Sequence, residues 1–495
     1  MDWFKTKKED FSEQYISKVK WLIDKCRFTV LDREFYDEHG LIVNNSHYLG
    51  GQLDSGFYRI DTKHGVREIH YPEFVDFLEH YKKEPTKTFK FEEALSIQDD
   101  KKIIVGFSMY PRPHMVSTFR KHFFDKLFED REFLQRMRNG KIHIYLYYGW
   151  EPDNFNDRES DDNNFEKILH DTIVDYELPF NSIFVFSSNI MGYNNFQRET
   201  GMEKWQSKNS PRIIYDNFYE LHTFKSVKGE IDLDYTFDEY IENCKKTDKY
   251  CLRLNRTPLP SRDFMLYYLA KSGNLDKSII EHSEYDRDNL NNFIQRFIHD
   301  PVMKFRAECY PPIKNILGYE DEKTHELIES KLPFIASRME DNREYQQHYS
   351  NETIPHDVYK KSIFSWVSTT FTNQHNMIFL NMSTFNPILY YHPLVYFGNN
   401  NTATYLRKST FLSYEFLYEE EIIDGDGGFE GRGITSAIEV DKLFNMDKND
   451  LIGLINENRH IMEYNKKRLI ECDSVRRILI NVSNILQDKD MYLTF

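Results

Sequence analysis

Residues 377–398, MIFLNMSTFNPILYYHPLVYFG, carry the pattern that decides the fold of this chain. An apolar run at 377–380 meets a polar break at 381–384, and a short amphipathic stretch follows. A second apolar run at 394–397 then closes on Gly398. This order predicts a strand, a loop, a short helix, a second strand and a glycine turn.

The polar break in this segment is a candidate binding site. Ligands of α/β sheets sit at the carboxyl ends of strands, and a helix N-terminus attracts phosphate. The backbone N–H groups of Ser383, Thr384 and Phe385 would open the short helix and so face such a ligand. The alternative interpretation is an ordinary α/β core unit with a polar connection.

The composition predicts a large cytoplasmic protein. The chain has 495 residues, enough for two or three domains, and 16% of them are aromatic, which supplies a large core. It contains no run of 18 apolar residues, so no membrane-spanning helix is predicted. The first residues, MDWFKTKKEDFSEQY, alternate in charge and lack an apolar signal core, which argues against secretion.

Charge and cysteine content narrow the function classes. The net charge of -16 opposes nonspecific binding to nucleic acid or anionic lipid, because a phosphate polymer needs a basic footprint. A local basic groove stays compatible with that total. The 5 cysteines include no CxxC pair, so reduced thiols are favoured over a disulfide framework or a zinc site.

Strands and helices alternate along most of the chain. The apolar runs predict strands at 103–107, 141–148, 182–187, 213–215, 250–254 and 364–371. The apolar spacing predicts helices at about 11–30, 115–138, 164–175, 262–271, 402–408 and 437–487. Such alternation is typical of an α/β fold with mostly parallel sheets.

The alternation occurs twice, which predicts two Rossmann-like domains that face a cleft, followed by C-terminal helices. Residues 1–100 are predicted to be an irregular and helical extension, and residues 101–245 the first domain. Residues 246–440 form the predicted second domain, with an insertion at about 285–360, and residues 441–495 the terminal helices.

The loop after the strand at 250–254 is the second candidate site. Its sequence, NRTPLPSR, places Asn255, Arg256 and Arg262 between a strand and a helix, with Ser261 as the predicted N-cap. Two arginines near a helix N-terminus suit a diphosphate, because guanidinium pairs bidentately with phosphate oxygens. The alternative is a proline-braced loop whose arginines pair with surface carboxylates.

Two blocks resemble a family of glycosyltransferase-like proteins found in phages and large viruses. The first block is CLRLNRTPLPSRDFMLYYLAKSGNLDKSII at 251–280, and the second is residues 359–398, preceded by Lys331-Leu332-Pro333. The second block is also similar to the donor motif of α1,3-fucosyltransferases, which have the GT-B fold. The resemblance covers about 141–415, with gaps.

The resemblance implies a GT-B-like protein whose C-terminal domain binds a nucleotide-sugar donor. It implies donor contacts at Asn255, Arg256 and Arg262, and matches Thr384, Phe385 and His392 in the second block. It also implies no bound metal and no other cofactor.

This chain departs from the family pattern at charged positions. Thr369 stands where the family has a Glu that binds ribose, and Met382 and Ser383 replace a Glu-Lys pair. Each lost charge-assisted hydrogen bond to phosphate would weaken donor binding by ~1.5–3 kcal/mol. Either the donor is unusual, or backbone amides and arginines compensate, or the protein does not catalyse transfer.

An inverting transferase needs a base that takes the proton of the acceptor hydroxyl. Glu151 is the first candidate and Asp153 the second, since both follow the strand at 141–148. The alternative is a solvated acidic loop. His114 with Arg112, and more weakly His70, are further candidates.

The glycine-rich segment DGDGGFEGRG at 424–433 is predicted to be a flexible acidic loop. It lacks the carboxylate at the twelfth position of an EF-hand, so calcium is not favoured.

The sequence thus predicts transfer of a sugar from a nucleotide-sugar to an acceptor hydroxyl, either on a glycan or on a hydroxymethylated DNA base. If the protein is viral, its place is the host cytoplasm. The alternative is a catalytically inactive, glycosyltransferase-like binding or scaffold protein.

Overall fold

The computed structural model describes most of the chain. The described residues are 7–31, 60–62, 65–67, 78, 86–108, 120–148, 165–187, 205–206, 208–216, 234–254, 259–299, 305, 321–334, 356–369, 378, 380, 382–425, 428–471, 473–489 and 491–492. They divide into two compact units. The first unit comprises Met1–Phe218 and Asp473–Phe495, and the second comprises Tyr219–Cys472.

The first unit contains a six-stranded sheet with the order β4-β1-β5-β6-β7-β9, in which every pair is parallel. Its elements up to residue 218 are α1 (Lys7–Lys25), β1 (Cys26–Val30), β2 (Ile60–Thr62), β3 (Gly65–Arg67), β4 (Thr88–Lys90), α2 (Phe91–Ser96), β5 (Lys102–Ser108), a π-helical turn (Arg120–Phe124), α3 (Asp125–Leu127), α4 (Arg131–Arg138), β6 (Ile142–Tyr148), α5 (Phe165–Asp175), β7 (Ile183–Ser187), β8 (Trp205–Gln206) and β9 (Arg212–Tyr215).

The second unit contains a four-stranded sheet with the order β11-β10-β12-β13, again parallel throughout. Its elements are α6 (Phe237–Lys246), β10 (Cys251–Leu254), α7 (Pro260–Lys271), a 3-10 turn (Leu275–Lys277), β11 (Ser278–Glu281), α8 (Arg287–His299), α9 (Glu322–Lys331), a 3-10 turn (His356–Lys361), β12 (Phe364–Ser368), α10 (Met382–Leu389), β13 (Leu394–Phe397), α11 (Thr402–Lys408), α12 (Glu420–Gly425), α13 (Phe429–Asn445), α14 (Lys448–Glu457) and α15 (Arg459–Glu471).

The end of the chain belongs to the first unit. Helix α16 (Asp473–Leu486) packs against α1, and β14 (Met491–Tyr492) pairs with β8 in an antiparallel ribbon. Arg477 of α16 donates two hydrogen bonds, of 3.0 and 2.7 Å, to the buried carboxylate of Asp216. This bidentate pair ties α16 to the residue that follows β9.

The strands are continuous apolar runs because helices cover both faces of each sheet. All five residues of β7 (IFVFS) and all four of β13 (LVYF) are buried. Strands covered by helices on both faces lose the alternation seen in half-exposed sheets. The predicted α/β class, with two parallel-sheet units and C-terminal helices, is confirmed.

Several predicted boundaries differ from the structure. Residues 26–30, predicted as the end of a helix, form β1, which pairs with β4 and β5. These pairings place part of the predicted 1–100 extension inside the first sheet. Helix α6 packs on α14 within the second unit.

Two further expectations about local structure are wrong. The predicted strand at 377–380 is not formed by its described residues, Ile378 and Leu380. The predicted loop at 424–433 is helical at both ends, where α12 ends and α13 begins. In the described part of the chain, no helix is long and apolar enough to cross a membrane.

Candidate functional site

The strand order of the second unit creates a switch point between β10 and β12. The chain forms β10 first, places β11 on one side of it and then places β12 on the other side. The connections therefore leave the carboxyl ends of β10 and β12 in opposite directions, and ligands of open α/β sheets bind at such crevices.

Two serines mark this switch point. Ser261 lies in the first turn of α7, and Ser368 is the last residue of β12. Their hydroxyl oxygens are 3.2 Å apart, although 107 positions separate them in sequence, and both side chains are buried. The first turn of α7 and the end of β12 are thus in direct contact.

Helix α7 starts at Pro260 rather than at residue 262. Proline is favoured at the first helical position because its fixed φ suits the helix and its missing N–H would be unsatisfied there. Leu259 occupies the N-cap position and makes no side-chain hydrogen bond to the helix. Ser261 is therefore not the predicted N-cap, and its hydroxyl is left to meet Ser368.

A buried charged cluster lies beneath the first turn of α7. Arg253 of β10 is fully buried, and Arg262 is 5% exposed. The carboxylate of Asp263 contacts His282 Nε2 at 2.8 Å, and both of these side chains are fully buried. Burial lowers the pKa of Arg253 to about 9, and that of Arg262 to about 10, while Asp263 opposes both shifts. Both arginines therefore keep their charge at neutral pH.

A group of hydroxyls lies at the carboxyl ends of β12 and β13. The Tyr396 phenol is buried, and burial raises its pKa, while the side chains of Thr369, Thr384 and Thr402 lower it. The Thr369 and Thr384 hydroxyls have no hydrogen bond of standard geometry among the described residues. Of this cluster of hydroxyls, Thr369 is the residue that the sequence comparison set against a glutamate.

The predicted short helix is confirmed as α10, which begins at Met382. Ser383 lies in the first turn of α10 and is partly exposed. Phe385 is fully buried and lies 6.1 Å from the Phe411 ring, measured between ring centroids. The side chain of Phe385 therefore belongs to the core.

The structure does not place His392 with the other candidate residues. His392 precedes β13, at the opposite edge of the sheet from Ser368, and is fully buried. Its Nδ1 lies 3.0 Å from the Ser365 hydroxyl, and its Nε2 lies 2.5 Å from the Tyr359 carbonyl oxygen. Because the carbonyl can only accept, Nε2 must donate. This histidine serves the core, and we leave it out of the proposed site.

The buried His392 predicts a specific loss of stability in acid. Burial lowers its pKa from 6.5 to about 4. As the pH falls below 6.5, the unfolded chain therefore takes up a proton before the folded chain does, and stability is lost. We expect the shifted pKa of His392 to lower the free energy of unfolding by about 2 kcal/mol at pH 5 relative to pH 7. Urea denaturation at both pH values should show a smaller pH dependence for His392→Gln than for the wild type. An unchanged dependence would contradict this assignment.

Asp424 has a structural role instead of the predicted place in a flexible loop. Its carboxylate accepts hydrogen bonds from the backbone N–H groups of Ala403 (3.1 Å) and Thr404 (2.7 Å). A carboxylate at the positive end of a helix stabilises it. The N-terminus of α11 is therefore already capped by this chain.

Several predicted site residues lie outside the described residues. They are Glu151, Asp153, Asn255, Arg256, Arg112, His114 and His70. Their predicted roles stay predictions.

Sequence reasoning missed Arg253 and Tyr396. An arginine in the middle of the apolar run YCLRL is a signal, since a charged residue inside a buried strand is rare unless it has a role. Tyr396 gave no such signal, because tyrosine is ordinary in a buried strand. Within the described ranges, no group of three or more His, Cys, Asp or Glu side chains could hold a metal ion.

The fold and the site define an α/β protein with two parallel-sheet units and polar groups at the switch point of the second. No protein-family model matches the chain, and no curated protein matches it either.

Solved structures give distant similarities. The chain is similar to the N-terminal domain of trehalose-6-phosphate phosphatase from Candida albicans, with 8% identity and a TM-score of 0.38, over 80% of this chain and 74% of that one. It is similar to a trehalose-6-phosphate protein from E. coli bound with UDP-2-fluoro glucose, with 11% identity and a TM-score of 0.35, over 86% and 90% of the two chains. It is also similar to a trehalose-6-phosphate synthase, with 12% identity and a TM-score of 0.36, over 90% and 97%.

Proposed function

We propose that the protein is a GT-B glycosyltransferase that binds a nucleotide-sugar donor at the carboxyl edge of the second sheet. The observation that carries this proposal is the contact between Ser261 and Ser368 at the switch point. This contact fixes the first turn of α7 against the carboxyl end of β12, the edge at which ligands of open α/β sheets bind. The sequence resemblance supports the same location, since its first block contains α7.

The donor's diphosphate would lie against the first turn of α7, with Asn255, Arg256 and Arg262 as its proposed partners. The amides at residues 383–385 open α10 on the same edge and would take part of the charge. Preorganised donors that face a developing negative charge stabilise the leaving nucleotide. Glu151, or Asp153 in its place, would accept the proton of the acceptor hydroxyl.

Thr369 stands where the resembled family has a carboxylate, and it lies in a cluster of hydroxyls with Thr384, Thr402 and Tyr396. Hydroxyls both donate and accept, so they can bind ribose or sugar hydroxyls without a carboxylate. The loss of the lysine would be offset by the buried arginines and the helix N-termini. The acceptor we propose is a glycan hydroxyl or a hydroxymethylated base in DNA.

A matched pair of serine variants in β12 tests the location of the donor site. Ser368 lies at the carboxyl end of this strand and Ser365 near its amino end, and both hydroxyls are buried and hydrogen-bonded. We expect Ser368→Ala to weaken nucleotide-sugar binding roughly tenfold, or by about 1.4 kcal/mol, because the variant loses the contact with Ser261 that holds the first turn of α7 in place. Ser365→Ala should leave the affinity unchanged. Calorimetry with UDP, GDP, CMP and their sugars would measure both affinities.

The outcomes separate the candidate functions. Binding of one nucleotide family, weakened only by Ser368→Ala, supports the donor site and names the nucleobase. Equal weakening by both variants would place the site elsewhere in the unit. If the wild-type protein binds none of these ligands, the enzyme proposal fails.

The second candidate function is a glycosyltransferase-like binding or scaffold protein without activity. The buried Thr369, in place of a carboxylate, is the observation that favours it. A protein of this kind would bind its partner without releasing nucleotide from any nucleotide-sugar.

A further inference from the structure

We propose that Arg253 is a positioning residue that sets the positive potential of an anion subsite at the first turn of α7. This inference rests on the proposed function and adds to it a residue and a ligand class, pyrophosphate or a diphosphate group. Arg253 itself would not touch the ligand, because its side chain is fully buried.

Arg253 holds the first turn of α7 from below. Its Nη2 donates a hydrogen bond to the backbone carbonyl of Arg262, the third residue of the helix. Cys251 and Arg253 share one face of β10, since side chains alternate along a strand. The guanidinium therefore lies between the sheet and the helix end that carries Ser261.

The charge of Arg253 is incompletely compensated inside the protein. Its Nε and Nη1 atoms are buried and have no hydrogen-bond partner among the described residues. Asp263 is the nearby carboxylate, but its oxygens are engaged by His282 Nε2 at 2.8 Å and by Asn289 Nδ2 at 3.4 Å. A buried cation without a paired anion lowers the stability of the fold unless another interaction offsets its desolvation.

A bound anion would offset the desolvation of the Arg253 guanidinium. Electrostatic interactions are stronger in the low-dielectric interior than in water, so a buried guanidinium acts on a neighbouring anion without contact. The N-terminus of α7 adds its own partial positive charge. Pro260 has no N–H group, and the N–H groups of Arg262 and Asp263 donate to the Leu259 carbonyl oxygen at 2.8 and 2.9 Å. The N–H of Ser261 is therefore the group that the first turn offers to an anion. The same arginine therefore fixes the geometry of this turn and raises its affinity for negative charge.

Pyrophosphate binding to the full-length protein tests this proposal directly. We expect Arg253→Gln to weaken pyrophosphate binding at least tenfold, since glutamine carries no charge. Arg253→Lys keeps the charge and should recover most of the affinity. A purely structural role predicts that each variant loses affinity in proportion to its loss of unfolding free energy, because both side chains are shorter than the arginine that donates to the Arg262 carbonyl. Urea denaturation of both variants measures that loss.

Arg468→Gln is the matched control. Arg468 is a buried arginine of the same unit whose Nε also donates to a backbone carbonyl, that of Ser409, at 3.1 Å. It should lose stability but keep the affinity for pyrophosphate. The proposal is overturned if the wild type does not bind pyrophosphate, or if Arg253→Gln binds it as the wild type does. Failure to bind any nucleotide-sugar, with pyrophosphate binding intact, would instead count against the proposed function alone.

Discussion

Replacing Gly398 by alanine is expected to destabilise the second unit by about 3 kcal/mol or more. An ideal Cβ at this position would lie 2.5 Å from Cζ of Tyr396 and 2.7 Å from its hydroxyl oxygen. The ring cannot easily turn away, because it is buried and its hydroxyl faces three threonines. Overpacking of a well-packed core typically costs 1–3 kcal/mol, and this clash is at the severe end. Urea denaturation of the full-length protein would measure the loss.

Gly453→Ala is the control for this prediction. Gly453 lies inside α14, and an added Cβ there would meet nothing within 4 Å. Alanine is about 1 kcal/mol better than glycine within a helix, so this variant should be unchanged or slightly more stable. If Gly398→Ala unfolds like the wild type, the Tyr396 ring moves aside to admit the methyl group. The cluster of Tyr396 and its three threonines would then be less rigid than the structure indicates.

Replacing Asp263 by alanine is expected to cost about 3–5 kcal/mol of unfolding free energy. The substitution removes the carboxylate that contacts His282 and that attracts the Arg253 guanidinium. It leaves the buried charges of Arg253 and Arg262 without that carboxylate. Breaking a buried pair from one side is strongly destabilising for that reason. Asp263→Asn should lose less, because its amide oxygen can still accept from His282. Thermal and urea denaturation would rank the two variants.

Asp276→Ala is the matched control for Asp263→Ala. Asp276 belongs to the same unit and pairs with Lys331 at 2.8 Å, but its side chain is 87% exposed. Exposed pairs contribute at most about 1 kcal/mol, since water screens them. Equal losses of unfolding free energy in Asp263→Ala and Asp276→Ala would show that the charge of Asp263 does not stabilise the cluster beneath α7.

These two predictions concern the same edge of the second sheet. Gly398 leaves space for the Tyr396 ring near the carboxyl end of β13, and Asp263 partly offsets the charge of the arginines beneath α7. Rigid elements place functional groups more accurately than loops do. The proposed donor site therefore depends on packing that its own polar residues do not reveal.

The sequence by itself determined the α/β class and most of the strands. Continuous apolar runs such as KIHIYLYY predicted strands correctly because burial on both faces leaves no other composition. It also predicted the start of α10, because a polar break before an amphipathic stretch favours a helix N-terminus.

Only the tertiary structure decided which residues meet. Ser261 and Ser368 come into contact across 107 positions because the strand order puts β12 beside β10, and no local pattern encodes that order. His392 matched a motif, yet its place at the amino edge of the sheet makes it a core residue. Asp424 appeared in a glycine-rich acidic segment, yet it caps α11. Local composition fixes which segments are buried, whereas long-range strand pairing fixes which polar groups share an edge.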